Sequence, residues 1–285
     1  MNAFKGKIAV HAITWGDNHQ QALEEASKLN YRAIEPWPSF ALQFEHHISQ
    51  FRELLAQYNL ELAALYGGVT GGASSTFADP SKRQDIMDYN LRLAKILSQC
   101  GAEHLVLGPG GPRHKPTSLE ELKTAAATIN ETAKRTFELG VKACLHPHLW
   151  TEVQDENELD AIMELTDPDV VFFAPDTAQL TGAGMNPAEL IRRYKDRVAY
   201  VHLKDVTKDG AVAKDFPLLD GNEVPIFCEL GLGKIDFDPI LDALNAIQYQ
   251  GWMTVEIDRS TSTPYRSLEI CRDFVEQRLG IPVNI

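Results

Sequence analysis

Three observations predict an α/β chain folded as a single (β/α)₈ TIM barrel. Short apolar, β-branched runs alternate with longer helix-patterned stretches from end to end. Eight such pairs can be traced, and buried parallel strands joined by helices follow a right-handed path. The 285 residues fit a barrel of about 250 residues better than they fit two domains. No linker, low-complexity tract or repeat divides the chain, so one domain is expected over 1–285.

The first strand is read at 7–13, where KIAVHAI precedes a helix at 19–29. Strand 32–35 leads to a helix at 45–58, and strand 61–66 to one at 80–101. The latter announces its start with Asp79-Pro80, a capping side chain before a proline that suits the first helical turn. Strand 103–107 is followed by a helix at 117–139, where Ser118 and Glu121 form a capping-box pattern. Strands 141–146 and 169–175 precede helices at 155–165 and 186–194, the second opened by Asn186-Pro187. Strand 197–202 should pass quickly into its helix at 237–247. Instead, residues 203–236 are rich in Asp, Gly, Pro and Lys, and a loop this long on a barrel's C-terminal face suggests a lid or a substrate wall. Residues 206–230 are expected to cover the mouth. Strand 252–257 and a helix at 264–279 complete the pattern.

Hydrophobic residues make up 44% of the chain and charged residues 24%, enough for a substantial core beneath a soluble surface. No apolar run approaches the roughly 20 residues of a membrane span. The N-terminus starts basic but lacks a long apolar segment, so no signal peptide is expected. Four scattered cysteines without CxxC spacing point to reduced thiols and a cytoplasmic protein. A net charge of −13 disfavours nucleic acid as a partner, since phosphate binding needs a basic surface. The densest basic patch, RRYKDR at 192–197, reads as a solvated helix end.

His146, Asp176, His202 and Glu256 each end an apolar run: ACLHPH, VVFFAPDT, VAYVHLKD and WMTVEID. Residues at the C-terminal ends of barrel strands share one rim, where catalytic groups tend to lie. Two imidazoles and two carboxylates suit one divalent Zn²⁺, Mn²⁺ or Co²⁺. Taken singly, Asp176 also reads as a helix cap and His202 as a satisfied core residue. Glu256 needs a cation or hydrogen bonds if buried. His146 and His148 flank Pro147 on the same side of an extended segment; His148 is a second ligand or a proton carrier. Trp15, Glu35, Trp37 and Trp150 follow strands and are candidate substrate contacts, with plain aromatic packing as the alternative for the tryptophans. Gly231-Leu232-Gly233-Lys234 before a helix reads as a turn rather than a phosphate cradle. No dinucleotide fingerprint, P-loop or nucleophile elbow occurs.

The segments ITWGDN (13–18), LHPHLWT (145–151), PDTAQL (175–180), VHLKD (201–205), GLGKIDF (231–237) and TVEIDR (254–259) resemble the xylose isomerase-like TIM barrel superfamily. That superfamily includes sugar phosphate isomerases/epimerases, inosose dehydratase and endonuclease IV. The HxH and HLKD motifs are similar to those of inosose dehydratase, and the TVEIDR ending to that of an inositol-pathway isomerase. The resemblance implies Asp176, His202 and Glu256 as metal ligands, with His146 in place of a family glutamate. Gln179 stands where the family often has a substrate-contacting histidine, and Arg259 closes the last motif; both join the substrate-binding candidates. Losing the fifth-strand glutamate removes one of the two bases an epimerase uses, leaving an isomerase or dehydratase in place.

The expected enzyme is a divalent-metal-dependent isomerase or epimerase that abstracts a proton α to a carbonyl of a sugar- or polyol-like substrate. Glu256 or His148 would be the base, and Lys204 would polarise or protonate an oxygen. The alternatives are an inosose dehydratase-like lyase, an endonuclease IV-like nuclease, disfavoured by the acidic charge, and a non-catalytic sugar-binding protein.

Overall fold

Eight parallel staves close into a ring in the computed structural model, which describes residues 6–69, 75–111, 113–207 and 227–284. The staves are built from β1 (Lys7–His11), β2 (Ala33–Glu35), β3 (Glu61–Leu62) continued by β4 (Ala64–Gly68), β5 (His104–Gly108), β6 (Lys142–Leu145), β7 (Val171–Phe173), β8 (Val201–Leu203) and β11 (Trp252–Val255). β1 pairs with both β2 and β11, and β11 with β8. β4 through β7 pair in order. Two gaps remain in the ladders, and isolated contacts span both. The Ala63 N–H, between β3 and β4, donates to Ile34 O at 2.9 Å, and the bridges Phe173↔Val198 and Asp176↔His202 tie β7 to β8. The predicted barrel is therefore closed.

The ring is wrapped by α1 (His19–Lys28), α2 (Pro38–Leu42), α3 (Ile48–Gln57), α4 (Arg83–Cys100), α5 (Leu119–Phe137), α6 (Glu156–Leu165), α7 (Thr177–Gly182), α8 (Pro187–Arg193), α9 (Asp238–Ala246) and α10 (Pro264–Gln277). The expected caps are present. Ser118 and Glu121 make the reciprocal box, and Asn186 accepts from Ala188 N and Glu189 N. Asp79 caps a short 3₁₀ turn, Pro80–Lys82, that leads into α4. Two helices were not expected, α2 and α7. Neither was the antiparallel pair of β9 (Asp205–Val206) and β10 (Phe227–Cys228) inside the 203–236 segment. The expected lid at 206–230 falls mostly on residues 208–226, outside the described residues.

Strand alternation decides what each stave offers to the axis. Outward residues such as Ile8, Val10, Leu105, Leu107, Val201, Leu203, Met253 and Val255 belong to the main core shared with the helices. Their inward neighbours Ala9, Ala33, Ala64, Val106, Cys144, Ala174 and Tyr200 form a separate, smaller cluster inside the ring. Small residues there leave room for the polar side chains that follow two positions later: His11, Glu35, Tyr66, His146, Asp176 and His202. On most staves the inward row thus runs from a small residue to a polar one toward the C-terminal mouth; the β5 row reaches Gly108 instead, and the β8 row starts from Tyr200.

Candidate active site and metal centre

On β8 and just beyond it, the inward row is Tyr200, His202, Lys204; on β11 it is Thr254, Glu256, Asp258. The two rows interlock. His202 Nδ1 lies 2.9 Å from Glu256 Oε2, and Lys204 Nζ lies 2.5 Å from Glu256 Oε1 and 2.7 Å from Asp258 Oδ1. Asp176 comes from the end of the β7 stave, its Oδ2 4.0 Å from His202 Nδ1 and 3.7 Å from Lys204 Nζ. His146 follows β6, its ring centroid 4.8 Å from that of His202. One ligand atom from each of His146, Asp176 and His202 falls within 4.8 Å of the others, all three residues buried. Glu256 borders this trio through His202, with its other oxygen held by Lys204.

Fixed backbone groups settle which atoms are free. His146 Nδ1 is 3.2 Å from Ala174 O, and a carbonyl only accepts, so Nδ1 carries the proton and Nε2 keeps its lone pair. Asp176 both caps and faces the site. Its Oδ1 accepts from Ala178 N and Gln179 N at the start of α7, while Oδ2 is buried without a hydrogen-bond partner. His202 Nδ1 is likewise buried without a well-formed hydrogen bond, although Glu256 Oε2 lies 2.9 Å away. Leaving two such groups unpaired in one buried pocket is costly. A divalent cation between Asp176 Oδ2 and His202 Nδ1 would satisfy both, so the residues fit a metal centre.

The electrostatics agree with a site built around cations. Burial alone would lower His202, but Glu35 and Glu256 outweigh it and hold the ring well above the usual histidine range, so a cation on Nδ1 would take the place of a proton there. Burial opposes the charge on Lys204 too; Asp258, Glu256 and Asp176 reverse that and keep it firmly protonated. Glu256 is held well below the carboxylate range, because Lys204 and His202 overcome its burial. Asp176 is raised by burial, against the pull of Lys204. His146 is lowered by burial and by the neighbouring rings of His202 and His148, which keeps it neutral as a ligand must be.

His148 stands beside the trio rather than in it. Its Nδ1 donates to Leu149 O at 2.7 Å. Leu149 N donates to Gln179 Oε1, so the Gln179 amide turns its Nε2 toward His148 Nε2 at 2.8 Å. The ring is therefore a neutral Nδ1–H tautomer whose free lone pair accepts from Gln179.

The other candidates separate. Trp15 is buried, and its Nε1 donates to Glu25 Oε2 at 2.7 Å on α1, away from an open rim position. Trp37 is half-buried with its ring edge against His11, and His11 in turn meets His202 edge-on. Trp150 stands edge-on to His148, with a positive φ of 65°. Arg259 is exposed on the loop after β11. Glu35 has no exposed surface and lies beneath His202. The GLGK turn uses its N–H groups on a carboxylate of the protein: Gly231 N, Gly233 N and Ile235 N all donate to Asp205. In the basic patch, Arg193 pairs with Glu156 and Asp160, and Arg197 is buried against the carbonyls of Val171 and Met163. Sequence reasoning passed over His11, Tyr66, Tyr200 and Asp258. His11 ends β1 and Asp258 follows β11 on inward rows, the signal that marked the tetrad, whereas Tyr66 lies within β4 and Tyr200 just before β8.

A profile of the family described as xylose isomerase-like TIM barrel matches residues 23–273. The inosose dehydratase of Geobacillus kaustophilus is 30% identical over 299 residues, covering 95% of this chain and 94% of that one. The inosose dehydratase of Clostridium beijerinckii is 32% identical over 307 residues, covering 98% and 99%. A crystal structure of the IolI protein with a bound zinc atom superposes with a TM-score of 0.72 at 20% identity, covering 95% of this chain and 97% of that one.

Proposed function

The chain belongs to the xylose isomerase-like TIM barrel family, and on that premise we propose that this sugar-modifying enzyme is a divalent-metal-dependent lyase that dehydrates an inosose or a closely related cyclic keto-polyol. One observation carries the reading: a buried His146–Asp176–His202 cluster with two unsatisfied ligand atoms stands directly beside an ionised Glu256–Lys204 pair. Near-full-length similarity to inosose dehydratases favours dehydration over the isomerase or epimerase reading expected at first. The acid–base inventory points the same way, since one carboxylate base at the cluster serves removal of one proton better than a two-face epimerisation.

His146 Nε2, Asp176 Oδ2, His202 Nδ1 and Glu256 would hold the ion. When bound, a divalent cation supplies Lewis acidity toward a carbonyl and an adjacent hydroxyl oxygen. Glu256 takes the proton α to the carbonyl, and its electrons form the new C=C bond as charge develops on the carbonyl oxygen. Lys204 gives a proton to the β-hydroxyl; the carbonyl re-forms, the enolate pair moves to a double bond between the α and β carbons, and the β C–O bond breaks with loss of water. The two transfers reinforce each other. Once Glu256 has taken the proton, its negative charge no longer helps to hold the proton on Lys204, and the ammonium becomes a better acid. His148, its lone pair engaged by Gln179, and Trp150 beside it shape the wall against which the ring lies.

The test is metal analysis of purified protein with a screen of inososes, ketoses and ketose phosphates, followed by exchange of the α-proton with solvent. Expected are about one divalent ion per chain, loss of turnover after chelation with recovery on adding Mn²⁺, Co²⁺ or Zn²⁺, and an unsaturated keto product from an inosose. Turnover untouched by chelation would sink the metal reading. Interconversion of ketoses with no loss of water would sink the lyase reading.

A further inference from the structure

Glu35 ends β2, opposite His11 in the β1–β2 register, yet none of its surface is reachable from the mouth. Its oxygens face inward neighbours. Oε2 accepts from His202 Nε2 at 2.9 Å and from Tyr200 O–H at 2.8 Å. The tyrosine oxygen in turn accepts from Thr254, since its own proton is committed to Glu35. Oε1 has no hydrogen-bond partner and lies 3.7 Å from His11 Nε2. That His11 nitrogen carries the ring proton, because Nδ1 accepts from Ile13 N at 2.9 Å. A carboxylate only accepts, so Nε2 carries a proton toward Glu35, and an ion would take the place of any proton on Nδ1 beside Glu256. The ring is then pinned with Nδ1 toward Asp176 Oδ2 and Glu256 Oε2, on the opposite side.

We propose that Glu35, expected from its place after a strand to touch substrate, is instead a positioning residue for the metal centre. From behind, it fixes the tautomer and orientation of His202 and presents Nδ1 to the ion. This rests on the metal reading above. A histidine ligand usually donates its other ring N–H to such an outer partner, and losing that partner typically weakens metal affinity about 10–100-fold. Tyr200 holds the carboxylate in place and shares its charge.

The experiment compares wild-type protein with Glu35→Gln, both stripped of metal. It measures Zn²⁺ and Mn²⁺ binding by titration against a competing chelator, and imidazole ¹⁵N resonances of the zinc-loaded wild type. Expected are a roughly 10–100-fold weaker affinity in E35Q, a KM at saturating metal within about threefold of wild type, and a His202 ring protonated on Nε2 with zinc on Nδ1. Unchanged metal affinity with a KM raised tenfold or more would return Glu35 to the substrate and overturn the proposal. So would zinc on His202 Nε2, a result that needs no variant and therefore stands even if E35Q does not fold. Wild-type protein that binds neither ion fails the metal reading itself and takes this inference with it; wild-type binding with undiminished E35Q binding overturns the inference alone.

Discussion

Lys204 and Glu256 are the residues whose chemistry depends most on their surroundings. Side by side in a buried site, each holds the other ionised, and no solvent is needed to keep an acid and a base in place. Glu256→Gln is nearly isosteric and keeps a carbonyl oxygen for an ion, but it cannot accept a proton. The expected result is a folded protein with weaker metal binding. Solvent exchange at the substrate α-carbon should fall about 10²–10⁴-fold even with excess metal. His148→Ala is the matched control: the wild-type ring has its lone pair occupied by Gln179 and should contribute less to exchange. If E256Q exchanges at a near-normal rate while H148A does not, histidine is the base and Glu256 is a ligand alone.

At the scale of elements, the mouth depends on how closely β4 and β5 approach. Gly68 has φ 104°, and a Cβ there would come within 2.1 Å of Gly108 O, so only glycine fits the crossing. Asn90 of α4 latches this point. Its Nδ2 donates to Gly68 O at 2.7 Å, and its Oδ1 accepts from Gly68 N at 2.9 Å. Asn90→Ala would leave both buried backbone groups unpaired. A loss of roughly 2–4 kcal/mol follows from the usual cost of such groups, read as a lower urea midpoint with an unchanged slope. A loss below about 1 kcal/mol would show that water or a backbone shift replaces the latch. Tyr66, two residues before Gly68, stands edge-on to His146, so a slackened β4 should also disturb the metal site.

For the whole molecule, the barrel floor sets an acid limit on stability. His104 begins β5, its ring against Tyr200, and burial together with Lys142 lowers it to about 4. The unfolded chain binds that proton near pH 6.5, so between these values the unfolded state holds more protons than the native one. Stability is full above the unfolded pKa and is lost as pH falls through 6.5 toward 4, by about 3 kcal/mol in total. His104→Gln removes this linkage. The wild-type advantage over the variant should therefore shrink by about 3 kcal/mol between pH 7 and pH 4 in urea unfolding. A difference independent of pH would mean His104 titrates alike in both states.

The sequence by itself determined the barrel and the rim. Parallel strands of period two, closed in order, place successive strand ends on one face, and so His146, Asp176, His202 and Glu256 could be named from their positions alone. The same logic located Lys204, two residues beyond His202 on the same inward row. Depth along the axis was not legible. Glu35 and Trp15 also end strands, but the stagger between neighbouring staves sinks the first beneath His202, and Trp15 turns to Glu25 on α1. Proton positions were hidden for the same reason. Which nitrogen of His146, His148 or His202 is free depends on carbonyls and carboxylates far away in sequence, Ala174 for His146 and Glu35 for His202. A one-dimensional pattern states which side of a strand a residue occupies; only the packed ring decides how high it stands and what it meets there.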